Sequence, residues 1–207
     1  MPENYSLYIG DSLFRNLDHE KMSSSSQAAK VFSFPGAMPA NIKSKLLSDS
    51  RFNELDPSKV SNIFIFCGAN CVDRVIRVPF SAKSAWVSDQ YYYSHNQELQ
   101  KAKTELNSLI DFLHNWSSLS SIKFVNILPR ESSARNYVIN SLNYFVESLS
   151  NERPFLRILS SELERNLFTY RNGHRKSNYF LEGEDNVHLN RLGTVRLAKH
   201  LKYVAHH

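Results

Sequence analysis

The sequence predicts an α/β fold, with a five-stranded parallel sheet of flavodoxin-like order 2-1-3-4-5 and helices on both faces. Three observations carry this. Short apolar runs of strand character alternate with segments of helical period along the whole chain, the pattern of a parallel sheet built from strand–helix units. The run at residues 62–67 is almost wholly apolar, as suits a central strand covered on both faces. The first run, residues 5–9, ends on Gly10, Asp11 and Ser12 ahead of a helix-like segment. That sets a serine at the edge where open α/β sheets place their ligands, beside helix N–H groups that can receive an anion.

In chain order, the strand at 5–9 is followed by a short helix over about 12–21, and the serines at 23–26 read as loop. A second strand at 30–34 runs into a turn-rich link containing Pro35, Gly36 and Pro39. The next helix places Ile42, Leu46 and Leu47 on one face. After the break at Asp56-Pro57-Ser58 comes the strand at 62–67, stopped by Gly68-Ala69-Asn70. Residues 71–93 show no clean period and read as a long, partly ordered loop at the functional edge. Ser94 and Gln97 have capping-box spacing and open a helix whose apolar stripe runs Leu99, Ala102, Leu106, Leu109, Ile110, Leu113 and Trp116. A strand at 122–128, a helix from about Ser132, a shorter strand at 155–159 and a short helix at about 161–166 follow. Residues 170–180 form a basic, aromatic loop, and Asp185 to Asn190 leads into a last helix carrying Leu192, Val195, Ala198 and Leu201.

Composition bounds the class. At 207 residues one domain is expected, with no internal repeat, and 42% apolar content marks a globular chain able to bury a core without metal or disulfides. Two cysteines, Cys67 and Cys71, are too few for a disulfide scaffold and read as reduced thiols. No signal peptide and no run of about 18 apolar residues is visible, so an intracellular product is expected unless the chain is excised from something larger. His206 and His207 are too few for a metal site. The net charge of +5 permits an acidic partner such as nucleic acid.

Four pieces fall at strand ends or helix starts: Ser12, Gly36, Asn70, and the pair Asp185 and His188. Singly each is ordinary, since a serine at a helix start is commonly an N-cap and glycine near proline is turn chemistry. Together, in one order along one edge, they supply what acyl transfer needs: a nucleophile in Ser12, a base in His188, an orienting carboxylate in Asp185, and oxyanion donors in the N–H groups of Ser12 and Gly36 and the Asn70 amide.

Gly10-Asp11-Ser12-Leu13, Gly36, Gly68-Ala69-Asn70 and Asp185-Asn186-Val187-His188-Leu189-Asn190 resemble the four sequence blocks of the SGNH (GDSL) hydrolases. The resemblance spans nearly the whole chain and implies a three-layer αβα sandwich. It departs at Cys71, where many members carry an acid, and at Asn186, where glycine is common. The segments at 34–38, 65–70 and 202–207 further resemble the OSK domains of insect germ-plasm proteins, understood as SGNH-like in fold, non-hydrolytic and RNA-binding. That implies a pseudoenzyme in cytoplasmic germ granules, with maternal mRNA and germ-plasm proteins as partners, no cofactor, no metal, and a vestigial triad. Because the triad letters are present, inactivity would need a displaced His188, a blocked mouth or a sequestered Ser12.

The RNA reading draws on Arg171, His174, Arg175 and Lys176 flanked by Tyr170 and Tyr179, with Arg130, Arg135, Lys43 and Lys45 as further phosphate contacts. Aromatic residues among cations suit single-stranded nucleic acid. The alternatives are a solvated loop, an active serine esterase using Ser12, Asp185 and His188, and a protein adaptor.

Overall fold

A computed structural model describes residues 4–24, 27–76, 87–117, 121–130, 133–159, 168, 176–181 and 188–206. Five strands, β1 (Asn4–Gly10), β2 (Gln27–Ser33), β3 (Val60–Phe66), β4 (Ile122–Val125) and β5 (Leu156–Leu159), form one parallel sheet of order β2-β1-β3-β4-β5. The helices are α1 (His19–Met22), α2 (Pro39–Ser48), α3 (Ser50–Asn53), α4 (Ala69–Ile76), α5 (Val87–Ser117), α6 (Ser133–Glu152) and α7 (Arg191–His206).

Period-two alternation divides the strands between two apolar layers. Leu7, Ile9, Ile63, Ile65, Ile122 and Phe124 join the core under α2, α4, α5 and α6. Tyr8, Phe64, Phe66 and Val125 face the other way, into a core with Leu197 and Leu201 of α7. Phe52 of α3 stacks on Trp116 of α5 with ring centroids 4.3 Å apart.

Several local expectations change. The first helix is a 3-10 turn at Ser12–Phe14 followed by α1, because Asp18 accepts from the Glu20 and Lys21 N–H groups and restarts the chain as a new helix. Residues 71–93 are not all loop: α4 occupies their start, burying Cys71, Val72 and Val75, a helical face only two turns long. Residues 77–86 lie outside the described residues, and 87–93 belong to α5. Ser94 and Gln97 are therefore interior helix positions, not a cap. Leu47, Leu192 and Val195 are exposed, and α7 packs through Leu201 and the partly buried Ala198 as expected, with Leu197 added. The expected helix at 161–166 lies outside the described residues. Cys67 and Cys71 are buried free thiols. Burial pushes Cys71 up to about 12 and Cys67 well above its ordinary value, so neither is a ready nucleophile. No helix among the described residues is long and apolar enough to cross a membrane.

Candidate active site

The ends of β1, β2 and β3 converge, with Gly10 in register with Ser33 on one side and Phe66 on the other. The turn after β1 is tied to both neighbours. The Asp11 N–H donates to the Phe66 carbonyl at 3.1 Å, and Phe34 N–H to the Gly10 carbonyl at 2.8 Å. Ser33 Oγ donates to the Asp11 carbonyl at 2.7 Å. Position 10 has to be glycine, since a Cβ there would lie 2.2 Å from the Phe66 carbonyl oxygen. Ser12 is thereby held half-buried at the start of its 3-10 turn.

His188 reaches the same point from the other end of the chain. The Leu181 N–H donates to the His188 carbonyl at 2.9 Å, and Asn190 N–H to the Tyr179 carbonyl at 3.0 Å. Asn190 Oδ1 then caps α7 by accepting from Gly193 N–H at 3.0 Å. Thus fixed, His188 Nε2 stands 2.7 Å from Ser12 Oγ, the contact a general base needs to take the serine proton.

Asn70 is in the first turn of α4, just beyond β3. Its Nδ2 donates to the Ala37 carbonyl at 3.1 Å and faces Asp11 Oδ2 at 3.5 Å. The second contact is long for a hydrogen bond and is the weaker of the two. Gly36, beside Ala37, has φ +74°, a left-handed conformation suited to glycine. Ser12, Gly36, Asn70 and His188 thus gather at the edge marked by the C-terminal ends of β1, β2 and β3. Asp185 lies outside the described residues. Among those described, no cluster of three or more His, Cys, Asp or Glu is set to hold a metal ion.

Two features escape the sequence reading. Arg130 is 8% exposed. Its Nη1 lies 2.8 Å from both Asp73 oxygens and its Nη2 donates to the Ala69 carbonyl at 2.9 Å. It clamps the helix that carries Asn70, so it is no free phosphate contact. Arg135 Nε also donates to Asp73, at 3.1 Å. Burial works to raise the Asp73 carboxyl, but the two guanidinium groups outweigh it and hold the group below its usual range.

The second is Asp11, 1% exposed, whose Oδ1 accepts from Leu13 N–H at 3.2 Å. Burial pushes its carboxyl up to about 7, with Leu13 N–H, His188 and Arg130 offsetting part of the rise. A carboxyl raised in the folded state contributes stability below its ordinary pKa of about 4 that is lost as pH rises through about 7. Wild type should therefore lose stability between pH 5 and 8 relative to Asp11→Asn, by on the order of 2–4 kcal/mol. Denaturant titrations of both proteins at the two pH values measure this, and parallel pH dependences would show that Asp11 ionises freely.

The described residues among those expected to contact RNA do not meet on one surface. Lys43 is on the α5 side of the sheet, its Nζ donating to Ser108 Oγ at 3.2 Å and lying 5.5 Å from the Phe112 centroid. The exposed Lys45 lies 5.8 Å from the Phe34 centroid. On the opposite face Tyr179 packs edge-on against Phe168 at 5.9 Å, and its hydroxyl accepts from Arg196 Nη1 at 2.9 Å. That ring serves the interior of the fold more than a base stack. Lys176 is half-buried, with its N–H donating to the Phe168 carbonyl at 2.7 Å. Tyr170, Arg171, His174 and Arg175 lie outside the described residues.

Neither a protein-family model nor a curated protein matches the sequence. Solved structures do. The lipase Lip_vut3 from goat rumen metagenome superposes with TM-score 0.69 at 12% identity, covering 98% of this chain and 97% of that one. A catalytic mutant of Axe2, an acetylxylan esterase from Geobacillus stearothermophilus, gives 0.63 at 14%, covering 99% and 94%. A member of the lipolytic G-D-S-L family from Veillonella parvula gives 0.61 at 11%, covering 97% and 96%. At these identities the likeness is one of fold, and the fold is that of the SGNH hydrolases. The expectation of a non-enzyme is corrected here. The similar structures are mostly lipases and esterases, and His188, far from being displaced, stands in contact with Ser12. Nothing in these comparisons links the chain to the OSK branch.

Proposed function

We propose that the protein is a serine esterase. The observation that carries the reading is the 2.7 Å contact between Ser12 Oγ and His188 Nε2, formed across the sheet edge where the fold places its ligands. In this scheme Ser12 gives its proton to His188 and attacks the ester carbonyl carbon. The oxyanion is received by the N–H groups of Ser12 and Gly36 and by Asn70 Nδ2. His188 returns the proton to the departing alcohol, and water then releases the acyl group from Ser12 by the reverse sequence. Asp185, three residues before the histidine, is assigned the task of holding the imidazole with its proton on Nδ1. The test is turnover of short nitrophenyl esters against a Ser12→Ala control.

A second reading, RNA contact by the same domain, rests on the net charge of +5, on the cluster Arg171, Arg175 and Lys176, and on the sequence resemblance to the OSK domain of Oskar, which also carries the germ-plasm assignment. Phosphate contacts release counterions, with a log–log salt slope of about −0.7 per contact for single strands. Arg175→Glu with Lys176→Glu should then weaken single-stranded RNA binding and flatten that slope by roughly 1 to 2 units. Unchanged affinity and slope in the folded double variant would remove the loop from any such surface.

A further inference from the structure

The proposal concerns the size of the acyl group and rests on the esterase reading. A cavity of about 20 Å³ is lined by Ser12 and His188 together with Leu13, Phe66, Ala69, Ile127, Leu128, Asp11 and Arg130. On this measure one water molecule needs roughly 10–15 Å³. The space therefore takes a single group the size of a methyl.

Its walls are not free to retreat. Phe66, Ile127, Leu128 and Leu13 are each at most 7% exposed and belong to the two cores. Gly68, with φ +105°, lets Ile127 pack where it does, since a Cβ at position 68 would lie 2.8 Å from Ile127 Cδ1. Arg130, locked to Asp73 and Ala69, stops sideways widening. Interiors packed to this degree do not open for a chain of methylenes without losing core contacts.

We infer that the cavity is the acyl pocket and that it selects acetyl esters over longer acyl chains. Where a lipase substrate needs a trough for many carbons, this site seats one methyl and leaves the alcohol outside the cavity.

Two measurements on the intact chain test this. The first is kcat/KM for nitrophenyl acetate, butyrate and octanoate. Acetate should exceed octanoate by on the order of 100-fold or more, and Leu128→Ala should narrow that ratio by about tenfold. The second needs neither turnover nor a variant: covalent labelling of Ser12 by methanesulfonyl fluoride against octanesulfonyl fluoride, followed by intact mass. In each case the Oγ–S bond forms, fluoride leaves and His188 accepts the proton. Faster labelling by the methyl reagent supports the pocket even where no ester is turned over, an outcome that would sink the esterase reading alone. Octanoate used as well as acetate, or equal labelling rates, overturns the acetyl pocket and leaves the esterase intact. Absence of both turnover and labelling overturns the two together.

Discussion

Ester turnover is expected to fall by about 10³-fold or more when Ser12 is replaced by alanine. Losing the hydroxyl removes the covalent route, and what remains is the smaller effect of the oxyanion donors on attack by water. His188→Ala should cost about as much, and the double variant little more, because nucleophile and base act as one unit. Asp185→Ala should cost less than either, as an orienting group does in such triads. The serine is half-buried at the start of its own short turn, and the Asp11–Leu13 bond that shapes that turn does not use its hydroxyl. Circular dichroism and melting should therefore match wild type. The measurement is kcat on a short nitrophenyl ester, and a Ser12→Ala protein as fast as wild type would end the esterase reading.

Stability should fall on replacing Lys123 with methionine. This buried ammonium donates to Asn62 Oδ1 at 2.6 Å and to the Val204 carbonyl at 3.0 Å, over the Phe64 ring at 5.1 Å. Asn62 Nδ2 in turn donates to the Ala205 carbonyl at 3.2 Å. The pair thus satisfies carbonyls of the last turn of α7, groups no helix can satisfy internally. Methionine keeps the stem but strands Asn62 Oδ1 and the Val204 oxygen. Burial lowers the Lys123 pKa, Arg157 adding to it, so removing the charge also relieves a desolvation cost. Two stranded acceptors outweigh that relief. The net loss should be roughly 2–4 kcal/mol, a fall of about 5–15 °C in Tm. Lys123→Met with Asn62→Leu should lose less than the two single changes added together, because the Lys123–Asn62 bond is lost in either single variant and is counted twice in the sum. The cluster lies toward the N-terminal ends of the strands, away from Ser12, so turnover per folded molecule should hold. A melt within a degree or two of wild type would show that water replaces the lysine.

Which parts of this structure can be read from the residues follows from how far each interaction reaches. Residues 62–67 announce a central strand because all but Asn62 are apolar, parallel pairing follows from strand–helix alternation, and the order 2-1-3-4-5 is the one that five such strands suit. Ser12, Gly36 and Asn70 are legible as an edge since each directly follows a strand. Arg130 reads as a nucleic-acid contact because its partner, Asp73, is 57 positions away, and nothing local distinguishes a clamped guanidinium from a solvated one. Tyr179 misleads for the same reason, its partner being Arg196 on the following helix. The start of α5 is hidden by a capping-box spacing at Ser94 that an upstream helix start overrides. The non-enzyme expectation comes from a resemblance and not from the residues, whose triad letters point the other way.

Ser12 and His188 are 176 positions apart, and that separation makes reactivity a clock for folding. Strands β1, β2 and β3 can pair from the first third of the chain, yet the serine they present stays chemically idle until the segment bearing His188 docks on the finished sheet. Contacts of such long sequence separation form late and slowly. On the proposed function, a partly folded or still-emerging chain would therefore lack ester turnover. The first appearance of Ser12 labelling during refolding should date the arrival of α7, later than the burial of Tyr8 and Phe64 that fluorescence would record.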